Sequence, residues 1–299
     1  MRSLAACLVF LCLAGAPAFA DSLPRAVYVD PPQDAHNPAR MEVLHIPSGG
    51  VEINGVAYLA SGPGPHPTLL LLHGLPGNEK NLDLAQAVRR AGWNAVTINY
   101  RGSWGSPGEF HFGQNLDDAP AALAYLRQPE TAQKLAIDPR RIAVAGHSMG
   151  GWVAAHTFAR DPALLGAALI SPGDLGDAGV HMDHAHLVAL LQDNRESLAI
   201  ADIDALADEL TAHGREWAFA GLVPQLKDRR LLVLYSHDGL EADSLSLIDP
   251  LKAAKSRGLA TGYTATDHSW SDHRIALQAQ IINWLQGLPA QNSASNSTK

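Results

Sequence analysis

The chain has 299 residues, 46% of them hydrophobic and 17% charged, with 22 Lys and Arg against 30 Asp and Glu and a formal net charge of −8. That apolar content supports a packed core and excludes a disordered chain. The acidic balance removes the electrostatic case for a nucleic-acid partner. Only two cysteines are present, Cys7 and Cys12, and their clustering at the N-terminus excludes a disulfide scaffold.

Residues 1–20 read MRSLAACLVFLCLAGAPAFA. Arg2 supplies a short positive region, residues 4–13 an apolar stretch, and Ala18-Phe19-Ala20 a small-x-small cleavage site. This is the pattern of a cleavable signal peptide, and the apolar stretch is too short to span a bilayer. Export to the periplasm or medium is expected, with no stable membrane insertion after cleavage. Cleavage after Ala20 removes Arg2 and both cysteines, so thiol chemistry and cysteine-ligated zinc are not expected in the mature chain.

A Pro-rich lead-in covers residues 24–40. Residues 41–46 and 51–60 alternate as two strands around Gly49-Gly50, a hairpin signal. Residues 68–72 (TLLLL) form a continuous apolar run, as expected of a strand buried on both faces. The periodicity then predicts a helix over 81–91, a strand over 94–100, a helix over 116–126, a strand over 141–145 (RIAVA), a helix over 149–160 and a strand over 165–170. Residues 173–228 show helical segments and no strand. Strands follow over 230–235 and 261–266, with a helix over 244–256 between them. The closing helix is predicted over 270–285, with Ser269 and Asp272 read as its capping box. A polar tail, 288–299, ends the chain. The alternation predicts an α/β protein: a mostly parallel central sheet with helices on both faces, in one domain over residues 21–287. In such sheets, ligand sites lie beyond the carboxyl ends of the strands.

One such end carries Gly146-His147-Ser148-Met149-Gly150, a G-x-S-x-G between strand and helix. A sharp turn pushes the Ser148 hydroxyl outward, and only glycine on either side lets strand and helix approach that closely. The Met149 amide lies beside it, where a helix N-terminus favours developing negative charge. A serine nucleophile needs a base and an orienting acid. His268, in the loop before the last helix, is the expected base; His273 falls inside the predicted helix. Asp238 comes directly off the end of the strand over 230–235, and Asp243 is the alternative acid. The loop after TLLLL reads His73-Gly74-Leu75-Pro76-Gly77, and the Leu75 amide is the second candidate oxyanion donor. His73, Trp104, Phe110, His147 and Trp270 fall in or next to the same loops and are the candidate substrate-pocket residues, with core packing the competing role for Phe110. His181, His184 and His186 cluster with Asp183, but no second ligand group at helical spacing accompanies them, so no metal is assigned.

The segments TLLLLHGLPGN, NYRGSWGSPGEF, RIAVAGHSMGG, LLVLYSHD and TDHSW together resemble the alpha/beta-hydrolase superfamily over roughly residues 68–286. The loop Tyr100-Arg101-Gly102 with Gly105, Ser106 and Gly108 is similar to that of prolyl oligopeptidase-like and dienelactone-hydrolase-like enzymes. The resemblance implies a triad of Ser148, Asp238 and His268, oxyanion donors at Leu75 and Met149, and a lid formed by the 173–228 insertion. Two departures stand out: His73 occupies the place where such peptidases often carry a tyrosine, and the elbow residue is Ser rather than the Cys of dienelactone hydrolases. The expected activity is hydrolysis of a carboxylic ester on a small molecule, without cofactor, through a seryl-enzyme intermediate. The alternatives are a serine exopeptidase of the prolyl oligopeptidase type acting on short peptides, and a non-catalytic ligand-binding protein on the same fold.

Overall fold

The structure is a computed structural model that describes residues 23–288; residues 1–20, read above as a signal peptide, and residues 289–299 of the polar tail lie outside the described residues. A 3-10 turn (Arg25–Val27) precedes strands β1 (Arg40–Ser48) and β2 (Val51–Leu59). Then come β3 (His66–Leu72), α1 (Leu82–Arg90), β4 (Asn94–Ile98), α2 (Phe112–Arg127), α3 (Pro129–Lys134), β5 (Ile137–His147), α4 (Met149–Arg160) and β6 (Ala167–Ile170). The insertion follows as α5 (Leu175–His181), α6 (His184–Asp193), α7 (Ile203–Trp217), a 3-10 turn (Phe219–Leu222) and α8 (Val223–Leu226). The chain closes with β7 (Leu231–Tyr235), α9 (Glu241–Ala253), β8 (Leu259–Tyr263) and α10 (Arg274–Gln286).

The eight strands make one sheet in the order β1-β2-β4-β3-β5-β6-β7-β8. The β1–β2 and β2–β4 pairs are antiparallel and all other pairs are parallel. The predicted α/β architecture is what the chain adopts. Strand period 2 explains the double burial. Leu70 and Leu72 of β3, Val144 of β5 and Val233 of β7 pack toward residues of α2, α4 and α9. Their sequence neighbours Leu69, Leu71, Ala145 and Leu232 pack on the opposite face with residues of α1 and α10. At the hairpin, Gly49 and Gly50 both have positive φ (+56° and +84°), as the tight turn between β1 and β2 requires.

The loop after β4 is pinned from beneath. Asp118 of α2 is fully buried and accepts hydrogen bonds from Ser48 Oγ (2.5 Å), Arg101 N (2.8 Å) and Arg101 Nε (2.7 Å). One carboxylate therefore joins the hairpin, the β4 loop and α2. The insertion is held by a second buried carboxylate. Asp174 accepts from Asp177 N (3.1 Å), Phe219 N (3.0 Å) and Ser246 Oγ (3.3 Å), while its own N–H donates to Asp243 Oδ2 (2.8 Å). Burial pushes the Asp174 carboxyl up to about 6, the N–H donors of Asp177 and Phe219 opposing and the charges of Asp177 and Asp243 adding to the rise.

Several boundaries differ from the sequence expectation, and those of α2, β8 and α10 bear on the site. Helix α2 begins at Phe112 rather than 116, because the Glu209 carboxylate of α7 accepts from Phe112 N (3.1 Å) and Gly113 N (2.9 Å). That cap comes from a distant helix and is invisible locally. Strand β8 spans Leu259–Tyr263, starting two residues earlier than expected. Helix α10 begins at Arg274, and Ser269 does not cap it. Asp267 instead organises the turn, accepting from Ser271 N on its side chain (2.7 Å) and from Trp270 N on its carbonyl (3.0 Å). Trp270 then adopts a left-handed φ of +58°, which delays the helix.

Two outcomes follow from the buried carboxylates. Asp118→Ala takes from the Arg101 guanidinium its buried carboxylate, leaving Gln114 O (3.2 Å) and the exposed Asp117 (3.7 Å), and should cost about 3 kcal/mol, read from urea midpoints at constant m-value. For Asp174 the folded pKa is raised, so its stabilisation is full below the ordinary carboxylate range and is lost as pH rises through about 6. The stability difference between wild type and Asp174→Asn should therefore move against wild type by about 3 kcal/mol between pH 4 and pH 8.

Candidate active site

The parallel pairing of β5 with β6 runs straight into the turn, because Ser148 N donates to Ile170 O (3.0 Å). Ser148 itself has φ +57° and ψ −125°, a backbone conformation that costs an L-residue roughly 1–3 kcal/mol. The flanking glycines are compulsory. A Cβ on Gly146 would lie 1.9 Å from Gly150 O, and one on Gly150 would lie 2.1 Å from Leu72 O. Ser148 O accepts from Gly151 N (2.9 Å) and Trp152 N (3.3 Å), which starts α4 at once. His147 and Met149 are buried on either side, leaving Ser148 as the partly exposed residue of the turn. The Met149 amide opens α4, where the N–H groups have no intrahelical acceptor.

The loop after β3 runs against this turn. A Cβ on Gly74 would stand 2.9 Å from Ser148 Cβ and 3.5 Å from its Oγ, so backbone alone fits there. Gly74 thereby carries the partly exposed Leu75 next to the serine. Beneath the loop, His73 is buried, with Nδ1 2.8 Å from Gly74 O and its ring 4.6 Å from that of Tyr100. Burial holds its imidazole down at about 4, so it is neutral and structural at physiological pH.

His268 Nδ1 donates to Asp238 Oδ2 at 2.9 Å. The carboxylate partner fixes the proton on Nδ1 and leaves Nε2 as the free base nitrogen. The Asp238 side chain is 1% exposed and that of His268 is 35% exposed. Burial alone would raise the Asp238 carboxyl, but hydrogen bonds from His268, Ser171 and Leu240 N (3.0 Å), with the His268 charge, outweigh it and hold the group well below the usual range. Asp243 has other work. It sits in the first turn of α9 and accepts the Asp174 N–H, so the carboxylate on the imidazole is that of Asp238. His273 is likewise elsewhere, partly exposed at the head of α10 and 2.9 Å from Asp272 Oδ1.

A serine in a left-handed elbow, a backbone loop against it and an acid–imidazole pair now stand at the carboxyl ends of β5, β3, β7 and β8. A family model described as alpha/beta hydrolase fold matches residues 77–271. The chain belongs to the alpha/beta-hydrolase fold family. Solved structures of that fold superpose on it. The 2,6-dihydroxy-pseudo-oxynicotine hydrolase is 21% identical with a TM-score of 0.62, over 85% of this chain and 68% of that one. EstE1, a thermostable carboxylesterase cloned from a metagenomic library, is 23% identical with a TM-score of 0.62, over 85% and 91% of the two chains. The acylaminoacyl peptidase of Pyrococcus horikoshii is 15% identical with a TM-score of 0.63, over 85% of this chain and 42% of that one. No curated protein sequence matches.

Within this alpha/beta-hydrolase site, several sequence expectations change role. Phe110 is 1% exposed, packs edge-on against Phe112 at 5.5 Å and belongs to the core, not a pocket. The insertion covers it, with Phe110 N donating to Ala199 O (2.9 Å). Trp270 is fully buried, and its indole N–H donates to Ser171 Oγ (3.1 Å). His73 is equally closed off. His147 touches the imidazole instead: its ring lies 4.6 Å from that of His268, and Nε2 donates to His268 O (2.7 Å). Burial, then the His268 charge, hold His147 down at about 4, so it acts as a neutral donor. Trp104 alone among the pocket candidates stays at a partly open surface without touching the imidazole.

The three insertion histidines diverge onto separate carboxylates: His181 on Asp177 (2.9 Å), His184 on Asp208 (3.3 Å) and His186 on Asp183 (2.7 Å). Among the described residues no group of three or more His, Cys, Asp or Glu is placed to hold a metal. Sequence reading missed Ser171. It is fully buried at the end of β6 with φ +42°, and its hydroxyl joins Trp270 to Asp238. The available signal was its place directly after a strand, as for Ser148 and Asp238.

Asp238 has the opposite acid behaviour to Asp174. Its folded pKa is lowered, so its stabilisation is present above the ordinary carboxylate pKa of about 4 and lost as pH falls through the folded value. Asp238→Asn should flatten the acid limb of the stability curve, and Ser171→Ala should move that limb to higher pH. Urea midpoints between pH 2 and pH 6 read both, and the low-field imidazole proton of His268 should vanish in Asp238→Ala.

Proposed function

We propose that this chain is an exported serine hydrolase that cleaves carboxylic esters of small molecules. Ser148 Oγ attacks the ester carbonyl as His268 Nε2 takes its proton, and a C–O bond forms between serine and substrate. The Leu75 and Met149 amides stabilise the resulting oxyanion, a contribution typically worth about 10²–10³ in rate per donor. As the tetrahedral intermediate collapses, the bond to the leaving alkoxide breaks and His268 returns the proton to it. Water, deprotonated by the same nitrogen, then cleaves the acyl-serine. Asp238 stays ionised throughout, holds the Nδ1 tautomer and offsets the imidazolium charge.

One observation carries this assignment: the imidazole of the Asp238–His268 pair (2.9 Å) lies 4.6 Å from the ring of His147, the residue directly before a serine whose φ is +57°. No residue of that chemistry is damaged, which argues against a purely ligand-binding role. Export is supported by the signal pattern of residues 1–20. The insertion between β6 and β7 is proposed as the lid that shapes substrate access.

The test is a fluorophosphonate probe followed by a panel of nitrophenyl esters and peptide anilides. Wild type should be labelled and Ser148→Ala should not, with ester turnover falling by a factor on the order of 10⁶. Labelling that survives Ser148→Ala would overturn the mechanism. Faster cleavage of anilides than of esters would replace the esterase with a peptidase, the activity named for the Pyrococcus horikoshii enzyme of the same fold.

A further inference from the structure

The loop between β3 and α1 holds a cation that the catalytic scheme does not use. Glu79 and Lys80 are adjacent, yet they do not pair. Glu79 faces Arg274 (3.6 Å) and accepts Asn81 N (2.5 Å). Arg274 is further satisfied by Asp83 (2.5 Å) and Asn81 Oδ1 (2.9 Å). Among the described residues no carboxylate lies within 4.0 Å of the Lys80 ammonium.

What holds Lys80 is neutral. Its Nζ donates to Asn99 Oδ1 (3.1 Å) and lies 3.9 Å from the centroid of the Trp104 ring. Asn99 Nδ2 donates to Trp104 O (3.3 Å), and Trp104 Nε1 donates to Pro76 O (2.7 Å). The cradle is therefore tied to the oxyanion loop itself: Pro76 follows Leu75, and Gly74 abuts Ser148. Lys80 and Trp104 are both partly open to solvent. Partial burial pulls the Lys80 ammonium down to about 8, with no carboxylate partner to oppose it. An ammonium has three donors, and one is used here. A flexible, strongly hydrated side chain has been fixed and partly desolvated on the loop that carries Leu75, with the remaining donors unclaimed.

We propose that Lys80, backed by Trp104 and Asn99, receives a carboxylate carried by the substrate, making monoesters of dicarboxylic acids the preferred class. This rests on the serine-hydrolase assignment and specifies its substrate. The attraction is a charge-assisted hydrogen bond in a partly water-excluded position, stronger than one made at an open surface.

Two measurements test it. In the first, wild type, Lys80→Met and Lys80→Arg are compared on p-nitrophenyl butyrate and on the mono-p-nitrophenyl ester of glutaric acid. The ratio of kcat/KM for the acidic over the neutral ester should exceed one in wild type, fall about tenfold in Lys80→Met and be partly kept in Lys80→Arg. A ratio unchanged by Lys80→Met, or below one in wild type, overturns the proposal. In the second, equilibrium binding of monomethyl glutarate to the full chain carrying Ser148→Ala is followed by indole fluorescence. Binding should weaken about tenfold when Lys80→Met is added, in a protein whose melting temperature shows it folded; equal binding overturns the proposal. If wild type hydrolyses neither ester and Ser148 takes no fluorophosphonate, the hydrolase assignment fails, while the binding measurement still decides the Lys80 site.

Discussion

The close approach of β5, β3 and α4 at Gly146 and Gly150 is the constraint on which the site depends. No side chain fits at either position, because a Cβ would enter backbone of the next element. With both positions empty, the chain turns from strand to helix within one residue, and that residue takes the strained conformation. Ser148 bears the strain so that its side chain points away from the sheet while its amide still completes the β5–β6 ladder. The cost is a few kcal/mol at most, set against a core packed on both faces of the sheet. A looser turn would cost less backbone strain and lose the fixed relation between the serine, the Gly74 loop and the helix N-terminus.

The few residues after β6 show how one strand end can serve three purposes. Ser171 carries the hydroxyl between Trp270 and Asp238. Gly173 N donates to Ser148 O (3.3 Å), closing the elbow from the other side. Asp174 then binds the beginning and end of the insertion to α9. Two buried carboxylates thus meet at this junction, Asp174 within it and Asp238 through Ser171, and answer pH in opposite senses. Asp238 is surrounded by donors and by an imidazole, so its ionised form is favoured. Asp174 is raised first by burial, which its backbone donors do not outweigh, with the charges of Asp177 and Asp243 adding to the rise. Burial pushes both carboxyls up; the outcomes differ because at Asp238 the hydrogen bonds from His268, Ser171 and Leu240 N outweigh it.

Much of the sheet was legible in the sequence for a simple reason. Runs such as TLLLL and RIAVA have no polar face, and only a strand covered on both sides can use them. The elbow was legible because its glycines are a steric necessity. Asp238 and His268 were legible as residues of the loops that leave β7 and β8, and their pairing required that those two strands lie side by side. What escaped was set by distant parts of the chain. Glu209 caps α2 from the insertion, Phe110 is covered by the segment around Ala199, and Trp270 turns inward to reach Ser171. An aromatic residue in a loop reads the same whether solvent or another segment covers it. A Ser-x-x-Asp before an apolar run reads as a cap until Asp267 is seen to take the turn.

The loop after β4 and the insertion are one mechanical unit, which bears on how substrate access can be controlled. Trp104 N donates to Ser197 O (2.9 Å), Ala199 N to Gly102 O (2.7 Å) and Phe110 N to Ala199 O (2.9 Å), with Ser103 and Leu198 bridged as in a two-strand ladder. The same loop is fixed to the body through Arg101 and the buried Asp118. A segment joined by three backbone hydrogen bonds to a loop that is itself locked cannot swing as a free flap. Helix α5 is no freer, because a Cβ on Gly176 would lie 2.0 Å from Ala218 N and one on Gly179 2.1 Å from Leu210 O of α7. The aromatic wall of the Lys80 cradle is therefore coupled to the insertion by backbone, so that the recognition proposed for Lys80 and the position of the insertion would share one set of hydrogen bonds.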